Sequence, residues 1–435
     1  MGKRKILYEV LRPIISSGLR LFHNEFYVFG YENLKGSHIP TIVVANHQNA
    51  LLDPILCSTV FYEQLHWLTR SDVFKPGIIS WILKHINMQP VYRERDNVDG
   101  MRERNEIIFE ECYKRLHQGA WISLFPEGTH RGKKALIRPL KKGASRLIVG
   151  TFENNPELNH IRIVPVGLEY ERLQDPAGNI LVRIGEPIVL TKRDYNTANK
   201  AIWNNELTNE ITEHISSCML DVPVELDEHY DEVLLIQELF VNMRIELSWG
   251  EANVEFQKWI RNGGMNSPQL LEQAASLRVK ESELQIEERQ WRCERKLSWS
   301  RLITQFLLFP SVAIGIIAFL PISILTEKFV TNKVKDPLFK NSIRIAFKTF
   351  LGSLYTLILA TVFSFIIPIN FFIILVTLLG LGVLGVRGKM FWKTWMEYIN
   401  FKSKISGNSD LALAYLKERN SLIQLIKTLH NETNK

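Results

Sequence analysis

Four short stretches hold the residue types from which acid–base and phosphate-binding chemistry is built. In the first, His47 and Asp53 stand with five residues between them, and Pro54 follows. A histidine whose Nδ1–H is held by a carboxylate is fixed in the tautomer that leaves Nε2 free to take a proton from an alcohol, and imidazole titrates near working pH. The same pair also suits a blander arrangement, a loop histidine bonded to a carbonyl and an aspartate that only caps a helix. In the second stretch, Arg93 and Arg95 follow an apolar run, and arginine forks match phosphate oxygens, although surface arginines are commonplace. In the third, Phe125 and Pro126 lead into Glu127, Gly128, Thr129, His130 and Arg131. Glu127 offers a carboxylate to a polyol hydroxyl, Gly128 an unobstructed amide, and the basic run 129–134 an attraction for phosphate. In isolation this segment is an ordinary charged turn. In the fourth, Pro165 interrupts the apolar run 161–168, which by itself indicates only a buried or edge strand.

A sheet must position these residues. Thr41–Ala45, 121–125, 161–166 and 181–184 are short apolar, β-rich runs separated by amphipathic stretches such as 101–116, so 27–190 reads as α/β. His47 then emerges at the end of a buried strand, and Asp53-Pro54 has the form of a helix start, aspartate as N-cap and proline in the first turn. Glu127 falls at a strand's carboxyl end, where α/β sheets gather ligands. Before this domain, 1–26 places Leu7, Val10, Leu11, Ile14, Ile15, Leu19 and Phe22 at helical spacing against Glu9, Arg12, Ser16 and Arg20. That is an amphipathic helix, either lying in a membrane interface or packed on the domain's own core. After it, 195–300 is polar, charged and helical in period. Ser267-Pro268 reads there as N-cap and first-turn proline, and one long helix is expected from Leu270 to Trp299.

The segments 302–325 and 349–386 contain no charged residue. The second, about 38 residues or roughly 57 Å as helix, is nearly twice a bilayer core and must fold back, with Pro368-Ile369-Asn370 as the turn. If 302–325 also crossed, the basic residues of 328–348 and Arg387, Lys389 and Lys393 would lie outside, against the positive-inside rule. A re-entrant or in-plane course for 302–325, broken near Pro310, Gly315 or Pro321, returns both clusters inside. The expected membrane region is therefore 302–386, with 349–367 and 369–386 as a spanning hairpin and 387–435 as a cytoplasmic tail. The interrupted apolar stretch after Lys3, Arg4 and Lys5 argues against a cleaved signal and for a cytoplasmic amino terminus.

Bulk properties bound the rest. With 435 residues and 46% hydrophobic content, the chain can form two or three domains with real cores. A net charge of +7 suits anionic partners, and no nucleic-acid recognition motif accompanies it, which leaves phosphorylated small molecules and anionic membrane lipids. Cys57, Cys112, Cys218 and Cys293 are far apart without zinc-ligand spacing, so free thiols, a reducing compartment and no metal are expected. There is no Gly-x-Ser-x-Gly elbow and no cysteine beside a motif histidine, so no covalent enzyme intermediate is expected.

Together and in this order, the four stretches resemble the glycerol-phosphate and 1-acylglycerol-phosphate acyltransferase family (PlsC-type) over about residues 25–190. The resemblance implies an α/β acyltransferase domain, a mixed sheet flanked by helices, followed by an α-helical region and a C-terminal membrane region. It implies His47 as general base with Asp53 orienting it. Arg93, Glu127 and Gly128 would bind the glycerol-phosphate acceptor, with Thr129, Arg131 and Lys141 near its phosphate, and Pro165 would help form the donor site. No cofactor is implied beyond an acyl-CoA or acyl-carrier-protein thioester as co-substrate. Two departures stand out. The commonest family motif has four residues between histidine and aspartate where this chain has five, a spacing similar to that of fungal-type glycerol-3-phosphate or dihydroxyacetone-phosphate acyltransferases. The family's usual arginine after the Glu-Gly-Thr turn is His130 here. An acyltransferase for another lysolipid or an amino-acid lipid, and a non-catalytic lipid-binding scaffold, remain the alternatives.

Overall fold

A computed structural model describes residues 4–35, 39–74, 77–93, 98–173, 177–194, 199–407 and 409–433. Arg95 lies outside the described residues. The chain folds as two compact units, 1–220 with 333–349, and 221–332 with 350–435.

The first unit is built on α1 (Ile6–Phe22), β1 (Phe26–Phe29), β2 (Thr41–Ala45), α2 (Leu52–Val60), β3 (Leu65–Arg70), α3 (Ile78–His85), β4 (Met88–Val91) and α4 (Met101–His117). It continues through β5 (Trp121–Leu124), α5 (Gly143–Asn154), β6 (His160–Tyr170), β7 (Ile180–Ile184), β8 (Ile188–Thr191) and α6 (Lys200–Cys218). The strands form one mixed sheet in the order β1-β7-β6-β2-β5-β3-β4, with β8 also on β6. β2, β5, β3 and β4 run parallel, as β6 does to β2, while β7 and β8 are antiparallel to β6. The central strand β2 is buried at every position, as expected of a parallel strand covered on both faces.

One face is packed by α4, α5 and α6, through Leu116, Leu147, Ile148, Leu207 and Ile211. The sequence pattern placed α6 in a separate helical tract, but its buried residues belong to this core. The other face is covered by α2 and α1, with Leu19, Leu52 and Leu56 in its core. Leu19 is 1% exposed, and Tyr8 Oη donates to Ser58 O, so α1 packs on its own domain along one edge while Ile6 and Val10 remain exposed. Residues 333–349 join the same core. Ile345, 4% exposed, packs in the cluster with Leu19 and Leu52, and burial of such a side chain is worth about 2 kcal/mol.

The second unit is helical: α7 (Tyr230–Met243), α8 (Trp249–Arg261), α9 (Pro268–Leu284), α10 (Trp291–Lys296), α11 (Trp299–Leu307), α12 (Phe309–Ala318), α13 (Leu320–Lys333), the part of α14 (Pro337–Ile366) from Phe350 on, α15 (Phe371–Ser406) and α16 (Asp410–Thr433). The expected helix from Leu270 to Trp299 is broken. α9 ends at Leu284 with Gln285 in the left-handed region at φ 51°, and the chain turns before α10. Pro268 is the first-turn proline, but Ser267 makes no capping bond with its side chain. Glu288, 2% exposed, fixes the turn by accepting from Arg419, Asn242 Nδ2 and Tyr415 Oη.

α14 and α15 are long and apolar enough to cross a membrane, and they part at 367–370, where Asn370 caps α15 by accepting from Phe372 N at 2.9 Å. α11 and α12 meet at a 58° bend just before Pro310, the geometry of a broken span or a re-entrant loop. α12 crosses α15 closely: a Cβ on Gly315 would lie 2.1 Å from Leu381 O, a small-residue crossing typical of apolar helices.

Candidate active site

The carboxyl ends of the parallel strands collect the predicted residues. His47 follows β2 after Asn46, whose side chain pins the loop to β6 by donating to Leu168 O (3.0 Å) and accepting from Leu168 N (2.6 Å). His47 Nδ1 lies 2.9 Å from Asp53 Oδ2, so the five-residue spacing closes the pair without strain on either side chain's reach. Asp53 is fully buried, and it is not the N-cap the sequence pattern suggested. It sits inside the first turn of α2, while Asn49 Oδ1 takes the capping bond from Leu52 N at 3.0 Å. Freed from capping, Asp53 receives three donors: His47 Nδ1 and Asn49 N (2.8 Å) on Oδ2, and Tyr170 Oη on Oδ1. A buried carboxylate so surrounded is held in one orientation and fixes the imidazole tautomer.

The imidazole is stacked on Phe125 with centroids 4.1 Å apart and planes 6° from parallel, and Phe125 is backed by Trp67. The side chain of His47 is 14% exposed. Glu127, 4% exposed, uses one oxygen to accept from His47 N and the other to accept from Ile137 N at 2.8 Å. It clamps the two loops together. Gly128 has φ 69°, a left-handed conformation, and its amide is committed to Phe125 O at 3.1 Å. Lys141 N donates to Pro126 O at 2.7 Å, and the Lys141 side chain runs past Gly128.

The remaining predicted residues are more scattered. Thr129, Arg131 and Lys141 are exposed on this rim. Lys134, grouped with them by sequence, is instead buried against Glu169 at 3.5 Å and is not presented to solvent. Arg93 follows β4 and meets Asp72 at 3.6 Å. β5 and β3 separate β4 from β2, so Arg93 stands about 14 Å across the sheet from the His47 strand. Pro165 is buried within β6 opposite Val44 of β2.

Sequence reasoning missed several residues. Tyr170 ends a strand recognised only for its proline. His130 lies edge-on to His47 with centroids 5.5 Å apart, and its Nε2 is 3.7 Å from Asp336 Oδ2. Burial, then the nearby His47, lower the His130 pKa, and Asp336 opposes them. Asp336 lies almost 300 residues from His47, beyond any motif window.

The Acyltransferase family model matches residues 25–169. The chain is 22% identical over 257 residues to glycerol-3-phosphate O-acyltransferase 1 of Saccharomyces cerevisiae, covering 55% of this chain and 33% of that protein. It is 29% identical over 174 residues to a chloroplastic 1-acyl-sn-glycerol-3-phosphate acyltransferase of Arabidopsis thaliana, covering 38% of this chain and 44% of the relative. The crystal structure of the 1-acyl-sn-glycerophosphate acyltransferase of Thermotoga maritima overlaps 49% of this chain and 83% of its own at 21% identity, with a TM-score of 0.34. The chain thus spans a third to under a half of the length of these two curated relatives. The His47–Asp53 pair and the Glu127-Gly128 turn both lie inside the segment that the Acyltransferase family model matches.

Proposed function

We propose that the chain is a membrane-bound O-acyltransferase that moves a fatty acyl group from a thioester, acyl-CoA or acyl carrier protein, to a hydroxyl of glycerol-3-phosphate or 1-acylglycerol-3-phosphate. The observation that carries this reading is the His47 Nδ1–Asp53 contact on a fully buried carboxylate, which leaves Nε2 as the ring nitrogen that Asp53 does not engage. His47 Nε2 takes the hydroxyl proton as the oxygen attacks the thioester carbonyl. The tetrahedral intermediate collapses with cleavage of the C–S bond, and the imidazolium returns its proton to the departing thiolate. The products are an ester and a free thiol, and no acyl-enzyme is needed. Oxyanion donors fall to backbone amides of the turn after Glu127 other than that of Gly128, which is already committed.

The acceptor class follows from the names of the two curated relatives and from the cationic rim. Arg93 stands at a distance that an extended arginine and a three-carbon phosphate ester together bridge, with Arg131 and Lys141 as further anchors. α14 and α15 span the bilayer, with the catalytic unit on the cytoplasmic face, where the basic residues of 328–348 and 387–393 satisfy the positive-inside rule. Anionic lipids and amphiphilic substrates gather at that interface. Purified membranes carrying His47→Ala test the reading: acyl transfer is expected to disappear, and undiminished transfer overturns it. Glycerol-3-phosphate, dihydroxyacetone phosphate and 1-acylglycerol-3-phosphate assayed side by side identify the acceptor.

A further inference from the structure

The two motif departures noted in the sequence, the lengthened His47–Asp53 spacing and His130 in place of arginine, meet one distant segment. Asn49, within the lengthened loop and fully buried, donates from Nδ2 to Leu338 O at 3.0 Å and accepts on Oδ1 from Ser342 Oγ at 2.7 Å. A helical serine ordinarily returns its hydroxyl to the carbonyl four residues back, which for Ser342 is Leu338. Here the Asn49 carboxamide inserts between the two and bonds both. On the facing rim, His130 Nε2 lies 3.7 Å from Asp336 Oδ2, and its ring meets Phe339 edge-on at 5.8 Å. Leu338 covers Gly132 so tightly that a Cβ there would sit 2.9 Å from its Cδ2. Ile345, one turn on, is buried in the core of the catalytic unit.

We propose that the first three turns of α14 are a working wall of the catalytic site, with Ser342 and Asp336 as positioning residues that set the His47 loop through Asn49 and His130. The path is short. Ser342 and Leu338 hold the Asn49 side chain, Asn49 N holds Asp53 Oδ2, and that same oxygen holds His47 Nδ1. The helix that supplies this wall continues into the apolar span ending at Ile366, so the geometry of the base depends on a membrane helix being seated. The departures from the common motif are then the receptors for that helix. This inference rests on the acyltransferase reading.

The test uses the full-length protein in its membranes, with turnover at saturating thioester and acceptor. Ser342→Ala is expected to lower kcat about tenfold with the thioester KM within about twofold, because the orientation of the base is lost and ground-state binding is not. Ser342→Thr, which keeps the hydroxyl, is expected to restore most of the activity. Asn49→Ala is expected to cost at least as much, and Asn49→Ala with Ser342→Ala no more than Asn49→Ala alone, since both act through one link. Asp336→Asn, which leaves Asn49 untouched, is expected to lower kcat roughly threefold. Wild-type kcat in Ser342→Ala, independent multiplication of the two losses, or no rescue by threonine overturns the proposal. If Ser342→Ala does not accumulate folded, Asp336→Asn decides, and wild-type kcat in that variant overturns the proposal. Failure of the acyltransferase reading itself looks different, because the wild type would then transfer no acyl group to any acceptor.

Discussion

Tyr170→Phe removes one oxygen from the candidate site and leaves the packing of a side chain that is 1% exposed. That oxygen donates to Asp53 Oδ1. Burial first, then the neighbouring Asp53 carboxylate, hold the Tyr170 pKa well above the usual tyrosine range, so the group is a donor throughout the working pH range. A hydrogen bond to a charged group contributes about 1.5–3 kcal/mol, and depriving a buried acceptor of its partner costs a similar amount. In the proposed mechanism His47 gains positive charge as it takes the hydroxyl proton and leans on Asp53 most from that point. If half of that energy, about 0.8–1.5 kcal/mol, is felt at this point, kcat falls about four- to twelvefold, since 1.4 kcal/mol corresponds to one decade. The other half is expected as about 1 kcal/mol of lost stability. The assay is turnover at saturating substrates beside the thermal midpoint of the same preparation. Asp53→Asn, which removes the charge and misorients the tautomer, is expected to cost on the order of a thousandfold or more. A Tyr170→Phe protein with wild-type kcat and midpoint refutes the reasoning, because the carboxylate would then hold His47 without its third donor.

Gly128→Ala forces a Cβ onto a residue at φ 69° and to 3.3 Å from Lys141 Cγ, so about 1–2 kcal/mol of stability and a measurable part of kcat are expected to go as the Glu127 clamp shifts; an unchanged unfolding midpoint contradicts this. Gly18→Ala places a Cβ 2.1 Å from Thr349 Oγ1, and a loss of about 1–3 kcal/mol is expected in thermal unfolding as the start of α14 is pushed off α1. Glu281 is pushed up to about 8 by burial, then by Glu288 and Glu287. It binds its proton more tightly folded than unfolded, so its contribution to stability is complete below the unfolded value near 4.5 and is lost as pH rises toward 8. Glu281→Gln is therefore expected to gain stability relative to wild type across that window, and parallel midpoint curves from pH 5 to 8.5 would show that the residue is not held neutral.

Much of the catalytic unit was legible because its signals are local. Thr41–Ala45 is a run of β-branched and small residues that only a covered strand explains, and it delivers His47 to the sheet's carboxyl edge as expected. The second half of the dyad was misread in detail. Asp53-Pro54 matches a capping pattern, yet a carboxylate needed by His47, Asn49 and Tyr170 cannot also cap, so Asn49 took that role. Lys134 was grouped with Arg131 by charge alone, whereas its burial depends on Glu169, a partner that periodicity cannot name. The break after Leu284 was hidden because helical period runs through it, and the turn is fixed by Glu288 reaching Arg419 and Asn242 from other helices.

The start of α14 shows why motif departures resist local reading. The five residues between His47 and Asp53 carry no sign of a distant partner when only their neighbours are compared, because spacing within one loop says nothing about what the loop must meet. Its counterpart was visible, though uninterpreted: Asn341 and Ser342 are adjacent polar residues on a helix face that buries Ile345 a turn later. Burying polar groups on such a face is costly unless they are paired, so their presence calls for a polar receptor elsewhere. Asn49 supplies one for Ser342. Asn49 and Ser342 are thus two halves of one contact, and substituting both should cost no more than Asn49→Ala alone.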